Sequence, residues 1–239
     1  MSDELFELWT YLASRPLTGL TVTLLAYGLG QRIQTAAGGK GWVNPVVIAV
    51  VFIGSLLMVT GVPYATYFEG AQFVHFLLGP ATVALALPLH QNLRQVRRAL
   101  PAVLVGVGAG SVVSSGVALG LAWALGAEPI VLRSLAPKSV TTPVAMALSE
   151  GAGGLPSLTA VLVILTGIVG VVLGSATLDL GRVRHPAARG LGFGVAAHGL
   201  GTARAFGESP RVGAFASLGM GLNALFTSLW IPLLLTALE

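Results

Sequence analysis

Long blocks of apolar residues alternate with short polar connections along most of this chain. Because a helix needs about 20 apolar residues to cross a bilayer, four of the six main blocks are long enough to span one unaided, and the first and third are shorter. The six blocks fall at about 16–31, 43–62, 73–90, 100–125, 155–178 and 212–237. This pattern predicts an all-α polytopic membrane protein with about six full spans.

Two further stretches, 134–150 and 189–206, are too interrupted by glycine, proline and polar residues to form simple spans. Short connections rich in lysine and arginine are typical of the cytoplasmic side. Three connections fit this description, and they carry Arg32 and Lys40, then Arg94, Arg97 and Arg98, then Arg182, Arg184 and Arg189. The connection at 63–72, with Glu69 as its charged residue, predicts an external loop. All three basic connections lie on the cytoplasmic side only if neither interrupted stretch crosses the membrane completely. Both stretches are therefore predicted to be re-entrant or broken hairpins, and the two have opposite orientations.

A span followed by a broken hairpin therefore occurs twice in inverted orientation, over 100–150 and 155–206. The two units open on similar residues, LPAV at 100–103 and LPSL at 155–158, although such short motifs also recur by chance in a chain of this composition. Inverted repeats whose broken elements meet at mid-membrane are typical of secondary transporters. We predict a single transmembrane domain, 1–239. Its remaining parts are N-terminal spans within 1–98 and a last span within 212–239.

Composition supports a membrane protein and excludes several other classes. Hydrophobic residues make up 54% of the chain and charged residues only 9%, against about 25% charged in soluble domains. The chain contains no cysteine, which excludes disulfides and thiolate metal sites. No basic patch interleaved with aromatic residues predicts nucleic-acid binding. Since the sequence also lacks an HExxH motif, a Gly-x-Ser-x-Gly motif and paired carboxylates at membrane depth, we expect no enzyme activity, no cofactor and no metal ion.

The clearest candidate chemistry surrounds Lys138, the one charged residue between Arg133 and Glu150. A charge at mid-bilayer costs about 2.5–3.5 kcal/mol on insertion scales, so it needs a partner, a cavity or a ligand. Pro143 favours a helix start with Thr142 at the N-cap, and a helix N-terminus favours an anion. We predict that a small carboxylate binds Lys138, Ser139, Thr141 and Thr142. The alternative is an external loop whose lysine meets water.

The glycine-rich stretch at 190–204 supplies three further candidates. Arg204 could bind a carboxylate through two hydrogen bonds, and Thr202 adds a hydroxyl to the substrate site. His198 could titrate near neutral pH and carry a coupled proton. The alternatives are a packed, uncharged His198 and an Arg204 whose charge lies at the membrane interface.

Two polar residues in the remaining apolar blocks complete the set. Thr82 lies between Pro80 and Pro88, which kink or break a helix. It could line the same substrate cavity, although a kinked packing helix is the favoured interpretation. Asn223 in the last block predicts a hydrogen bond between helices.

Three stretches resemble the signatures of the LrgB/CidB family: LRSLAPKSVTTP at 132–143, AHGLGTARA at 197–205 and GPATVALALPL at 79–89. The similarity covers roughly 43–239. That family includes bacterial proteins named for holin-like and antiholin-like control of murein hydrolases and autolysis. It also includes the membrane part of a plastid glycolate/glycerate translocator, and bacterial relatives are linked to uptake of pyruvate and similar acids. The resemblance implies a multi-pass protein of a bacterial cytoplasmic membrane with a separate LrgA/CidA-type small membrane partner.

Two functions follow as hypotheses. The first is a secondary transporter of small monocarboxylates of the glycolate, glycerate and pyruvate class, with His198 as the candidate for proton coupling. The second is a holin-like or antiholin-like membrane regulator of murein hydrolase activity and autolysis, and either could act as a homo-oligomer. We favour transport because a plain pore does not need two polar broken elements.

Overall fold

The computed structural model describes residues 16–39, 43–77, 80, 83–84, 90 and 93–236, and within them the regular structure is entirely helical. Residue contacts group the chain into two units, Met1–Ala84 and Leu85–Glu239, which are described separately below. The all-α prediction is therefore confirmed for the described residues.

Among its described residues, the first unit contains three long helices. They are α1 (Pro16–Ala36), α2 (Pro45–Thr60) and α3 (Tyr64–Phe76). The Asn44 side chain caps α2 by accepting hydrogen bonds from the Val46 and Val47 amides at 2.8 and 3.2 Å, and α2 ends at Gly61 with a φ of 68°, a conformation that glycine adopts freely.

Helix α3 corrects one sequence prediction, because it occupies most of the connection predicted as a loop at 63–72. Its packing against α1 explains the helix: Gly19 lies directly against the Tyr67 carbonyl, and the Thr23 and Tyr67 hydroxyls are 2.7 Å apart. Half of the predicted block at 73–90 lies outside the described residues.

The described part of the second unit contains a 32-residue helix, followed by two interrupted regions. Its helices are α4 (Leu93–Ala124), α5 (Pro129–Leu135), α6 (Thr142–Gly151), α7 (Pro156–Leu180), α8 (Pro186–Glu208) and α9 (Pro210–Thr236). Within the part of the chain that the structure describes, three regions are long and apolar enough to cross a membrane, at Arg97–Ala124, Pro156–Leu180 and Pro210–Leu234. Pro45–Thr60 in the first unit is a shorter apolar helix. These helices support a multi-pass membrane protein.

The region between α5 and α6 forms a compact hairpin. The Ser134 hydroxyl at the end of α5 accepts a hydrogen bond from the Leu155 amide at 2.8 Å. Thr159 on α7 contacts both Ser149 Oγ at 2.7 Å and the Ser134 carbonyl at 3.0 Å. Because Ser134 and Ser149 share Thr159 as a partner, the two ends of the stretch predicted at 134–150 lie side by side, as in a hairpin. The N-cap of α6 is Thr141, one residue before the predicted Thr142.

Helix α8 also folds back on itself. Ala197 (φ −131°, ψ 17°) and His198 (φ 42°, ψ −129°) leave the helical conformation and divide α8 into two limbs. Gly201 on the second limb lies against the Phe193 carbonyl on the first. Arg189 near the start of α8 forms an ion pair with Glu208 at its end, with Nε and Oε2 2.8 Å apart. The stretch predicted at 189–206 is thus a broken hairpin.

The first limb of α8 runs in the same direction as α4 and α9. Gly190 and Gly194 lie against the Val212 and Ala216 carbonyls, so the contacts advance together along α8 and α9. A Cβ built at Gly110 on α4 would lie 3.0 Å from Val195 Cγ1. Small residues permit this close approach of helices in a membrane. The core at this junction contains Val103, Val107, Ala187, Val195 and Phe215.

Gly194→Ala should therefore destabilise the second unit by about 1–3 kcal/mol, because the added methyl would overlap the Ala216 carbonyl. Gly199→Ala in the same helix is the matched control. Apart from its two chain neighbours and the nearby backbone of its own helix, no described atom lies within 4 Å of a Cβ added there, and alanine gains up to about 1 kcal/mol of helix propensity over glycine. Thermal unfolding in detergent measures both variants. Equal midpoints for the two would contradict the packing described here.

Candidate functional site

Lys138 lies in the turn between α5 and α6, next to two serine hydroxyls. Its Nζ donates to Ser114 Oγ on α4 at 3.2 Å and to Ser139 Oγ at 3.1 Å, and the two hydroxyls are 2.7 Å apart. The lysine is half-buried and Ser139 is buried. Among the described residues, no carboxylate lies within ion-pair distance of this ammonium. The result is a cationic group surrounded by neutral hydroxyls, which suits an incoming anion.

The backbone of this turn is firmly held by buried contacts. Ser115 Oγ on α4 donates to the Ala136 carbonyl at 2.9 Å. Val140 packs with Ala145 and Val163 in a buried cluster, and Ala136 and Val140 are at most 1% exposed. The position of Lys138 is therefore fixed by packing on both sides.

Asn223 on α9 connects the two broken elements. Its side chain is fully buried, and its Nδ2 donates to the Ser139 carbonyl at 3.1 Å and to the Val195 carbonyl at 3.2 Å. Ser139 belongs to the α5–α6 turn, and Val195 lies near the end of the first α8 limb. The predicted hydrogen bond of Asn223 exists, but its partners are backbone groups of the two hairpins.

His198 and Thr202 lie at the tip of the α8 hairpin. His198 Nε2 is 3.0 Å from the Val163 carbonyl, and since a carbonyl can only accept, Nε2 carries the hydrogen. Thr202 Oγ1 donates to the His198 carbonyl at 2.8 Å, which satisfies a group at the helix break. Val163 also packs on Val140, so the structure brings His198 and the Lys138 turn to the same level of α7.

Arg204 lies further from this level, near the base of the α8 hairpin. Its Nη2 donates to Ser175 Oγ at 2.9 Å, and Ser175 donates to Glu208 Oε1 at 2.8 Å. Along α7, Ser175 is 12 residues from Val163, or about 18 Å at 1.5 Å per residue. The structure therefore places Arg204 with Ser175 and Glu208, and it does not bring Arg204 to Lys138.

Three further residues were predicted to bind the substrate: Thr141, Thr142 and Thr82. Thr141 and Thr142 are half-buried at the start of α6, beside the turn that carries Lys138. Thr82 lies outside the described residues, so its predicted place at the cavity stays a prediction.

Two contributors were not identified as functional candidates from the sequence. Ser114 belongs to a group of serines at 111, 114 and 115 within an otherwise apolar helix, and that helical spacing was the available signal. Glu208 was not singled out, because its partner Arg189 lies 19 residues away and only the fold-back of α8 joins them.

The base of the α8 hairpin is held by a charged cluster. Arg189 contacts Glu208 through Nε and Nη2 at 2.8 and 3.0 Å, and Asp179 Oδ1 through Nη1 at 2.6 Å. Glu208 is the last residue of α8 and lies outside the three span candidates. The hydrogen bond from Arg189 holds the pKa of the Glu208 carboxyl below its usual range.

This pKa predicts an acid-dependent stability. A lowered pKa in the folded state stabilises the fold above the unfolded-state value of about 4.3, and that contribution is lost as the pH falls through the folded-state pKa. Glu208→Gln should lower the unfolding midpoint at pH 7, and the difference from wild type should shrink below about pH 4. Thermal unfolding across pH measures this, with Glu69→Gln on exposed α3 as the control. A variant difference that is constant with pH would contradict the ion-pair role.

The fold and the site define a class: a multi-pass helical membrane protein with two broken hairpins joined at a polar centre. The chain belongs to the LrgB-like family, whose family model matches residues 23–237. It is 32% identical over 216 residues to the holin-like protein CidB of Staphylococcus epidermidis, covering 90% of this chain and 94% of that protein.

A second relative is the antiholin-like protein LrgB of Bacillus mycoides, 32% identical over 218 residues, which is 91% of this chain and 95% of that protein. The antiholin-like protein LrgB of Bacillus cereus matches to the same extent. These relatives are named as holin-like and antiholin-like proteins, not as enzymes. No solved structure matches the chain.

Proposed function

We propose that this protein is a secondary transporter that binds a small monocarboxylate of the glycolate, glycerate or pyruvate class at Lys138. The observation that carries the proposal is the ammonium of Lys138, which donates only to Ser114 and Ser139 hydroxyls among the described residues. A charge held at the level of the helix breaks needs a counter-charge, and a substrate carboxylate supplies one.

Binding uses the groups around the turn. The carboxylate accepts hydrogen bonds from Lys138 and Ser139, while Thr141 and Thr142 offer hydroxyls at the N-terminus of the ten-residue α6. The partial positive charge of that terminus adds to the charge of the lysine. Thr202 and Thr82 complete the proposed substrate contacts, and Arg204 meets the substrate at a separate point on its path.

Alternating access follows from the proposed inverted repeat. One repeat consists of α4 with the α5–α6 hairpin, and the other of α7 with the α8 hairpin, re-entrant from opposite faces. Asn223 couples the two hairpins through the Ser139 and Val195 carbonyls. A proton carried by His198 at the α8 tip provides the proposed coupling.

The second candidate is a holin-like or antiholin-like regulator of murein hydrolase activity in the bacterial cytoplasmic membrane. The names of the relatives support it directly. In that role the protein works with a small LrgA/CidA-type membrane partner or as a homo-oligomer, and passage through it is not selective for carboxylates.

Purified protein in liposomes separates the two candidates. A transporter takes up labelled glycolate or pyruvate at a rate that saturates with concentration, and it retains an encapsulated dye. A holin-like pore releases the dye and shows no saturation. Dye release without saturable uptake would refute the transport proposal.

A further inference from the structure

A cavity of about 530 Å³ runs between α4 and the first limb of α8. The matched contacts of Gly106 with Leu191 and of Gly110 with Val195 show that its two walls run in the same direction. Alanine and glycine supply most of the lining. Two of the lining side chains are polar, and they lie at opposite ends: His185 before α8 and Ser114 on α4.

Each end of this cavity carries positive charge. At the inner end, Ser114 Oγ is 3.2 Å from Lys138 Nζ. The outer end carries exposed arginines in the first turns of α4 and in the connection before α8, and these are Arg94, Arg97, Arg98, Arg182 and Arg184. Clefts lined by one sign of charge raise the local concentration of the opposite ion. The arginines therefore attract anions to the outer end of the cavity, and Lys138 attracts them from there to the inner end.

We propose that the α4–α8 cavity is the water-filled route by which the small anion reaches Lys138 from the arginine-rich end, and that Ser114 is a substrate-contacting hydroxyl at its inner end. This inference rests on the proposed transport function and adds a path and a residue to it. Gly106 and Gly110 keep the path open, because side chains there would project towards Leu191 and Val195 on the opposite wall.

A lipid tail or a helix of a partner fits this cavity less well than an anion. Either would need an apolar inner end, whereas this cavity ends on a hydroxyl bonded to a lysine ammonium. Burying that ammonium against hydrocarbon without a counter-charge is unfavourable. A hydrated carboxylate meets basic groups at the mouth and at the end, and small apolar side chains between them.

The absence of native cysteine permits a direct test by single-cysteine labelling. Gly106→Cys on α4 and Ala196→Cys on α8 place a thiol on each wall of the cavity, and Gly116→Cys is the control. Gly116 is an exposed position on α4 with open space around it. Vesicles presenting the arginine-rich end are treated with membrane-impermeant thiosulfonates, one anionic and one cationic, with and without glycolate or pyruvate.

The expected result is labelling of both cavity variants but not of Gly116→Cys. The anionic reagent should react at least several-fold faster than the cationic one, and Lys138→Gln should reduce that preference. Ser114→Ala should weaken protection by glycolate without reducing labelling. Cavity thiols as unreactive as the control, or faster reaction with the cationic reagent, would overturn the proposed route. Anion-selective labelling that no carboxylate slows would instead uphold the route and count against monocarboxylate as the substrate.

Discussion

Lys138→Ala is expected to shift saturation of glycolate or pyruvate uptake to much higher substrate concentrations in liposomes that contain the protein. Hydrogen bonds to a charged group contribute about 1.5–3 kcal/mol each, so losing the one from Nζ should weaken binding roughly 10- to 150-fold. The turn itself should survive, because the Ser115 hydrogen bond to Ala136 and the Val140 cluster hold it. Initial uptake rates over a range of substrate concentrations measure the effect.

Two variants make this prediction specific. Lys138→Arg keeps the charge and should retain part of the uptake, while Arg32→Ala removes a positive charge from exposed α1 and should leave it unchanged. The unfolding midpoint of Lys138→Ala should stay close to that of wild type. Wild-type uptake by Lys138→Ala would show that the substrate binds elsewhere.

Local signals were sufficient to locate the two broken elements. Pro137 and Pro143 each remove a backbone donor, and together they predicted the interruption that the structure places between α5 and α6. The glycines at 190–201 indicated a second interruption but not its position. The break falls at Ala197 and His198, where His198 adopts a positive φ. Contacts from Val163 and Thr202 fix that conformation, and such tertiary contacts cannot be inferred from a local pattern.

Pairing between distant residues was the main limit of the sequence analysis. Lys138 and Arg204 were each predicted to bind a carboxylate, and both lie in polar, interrupted stretches. The structure instead places Arg204 beside Ser175 and near Glu208, because α8 folds back and brings its two ends together. Charge patterns assign residues to a side of the membrane, but they do not indicate how far along a hairpin a side chain lies.

Helix α3 shows a second limit of prediction from the sequence. The stretch at 63–72 was assigned to an external loop because it connects the apolar blocks 43–62 and 73–90 and Glu69 is its charged residue. Tyr67 nevertheless packs on α1, where Gly19 leaves room for its backbone. Glycine at position 19 allows the α3 backbone to approach α1 closely. Hydropathy alone does not predict such a contact between helices.

Asn223→Leu is expected to be the most destabilising single substitution proposed for the second unit. Leucine has the same branching and the same number of side-chain heavy atoms, so the change removes the amide without opening a cavity. It leaves the Ser139 and Val195 carbonyls buried without their Asn223 donor. An unsatisfied buried group costs about 1–3 kcal/mol, which gives about 2–6 kcal/mol for the pair if both stay dry. Thermal unfolding in detergent should show a large decrease in midpoint.

The same substitution should also impair uptake, because Asn223 holds the Lys138 turn and the α8 hairpin in register. Asn223→Asp should not rescue either property, since a carboxylate cannot donate to two carbonyls. Ser228→Ala, one turn further along α9 and exposed, removes only a hydrogen bond within the helix and should behave as wild type. If Asn223→Leu unfolded at the wild-type temperature and kept wild-type uptake, the two hairpins would be held together by packing alone. The polar centre would then owe its position to the glycine contacts of α8 with α9 rather than to this amide.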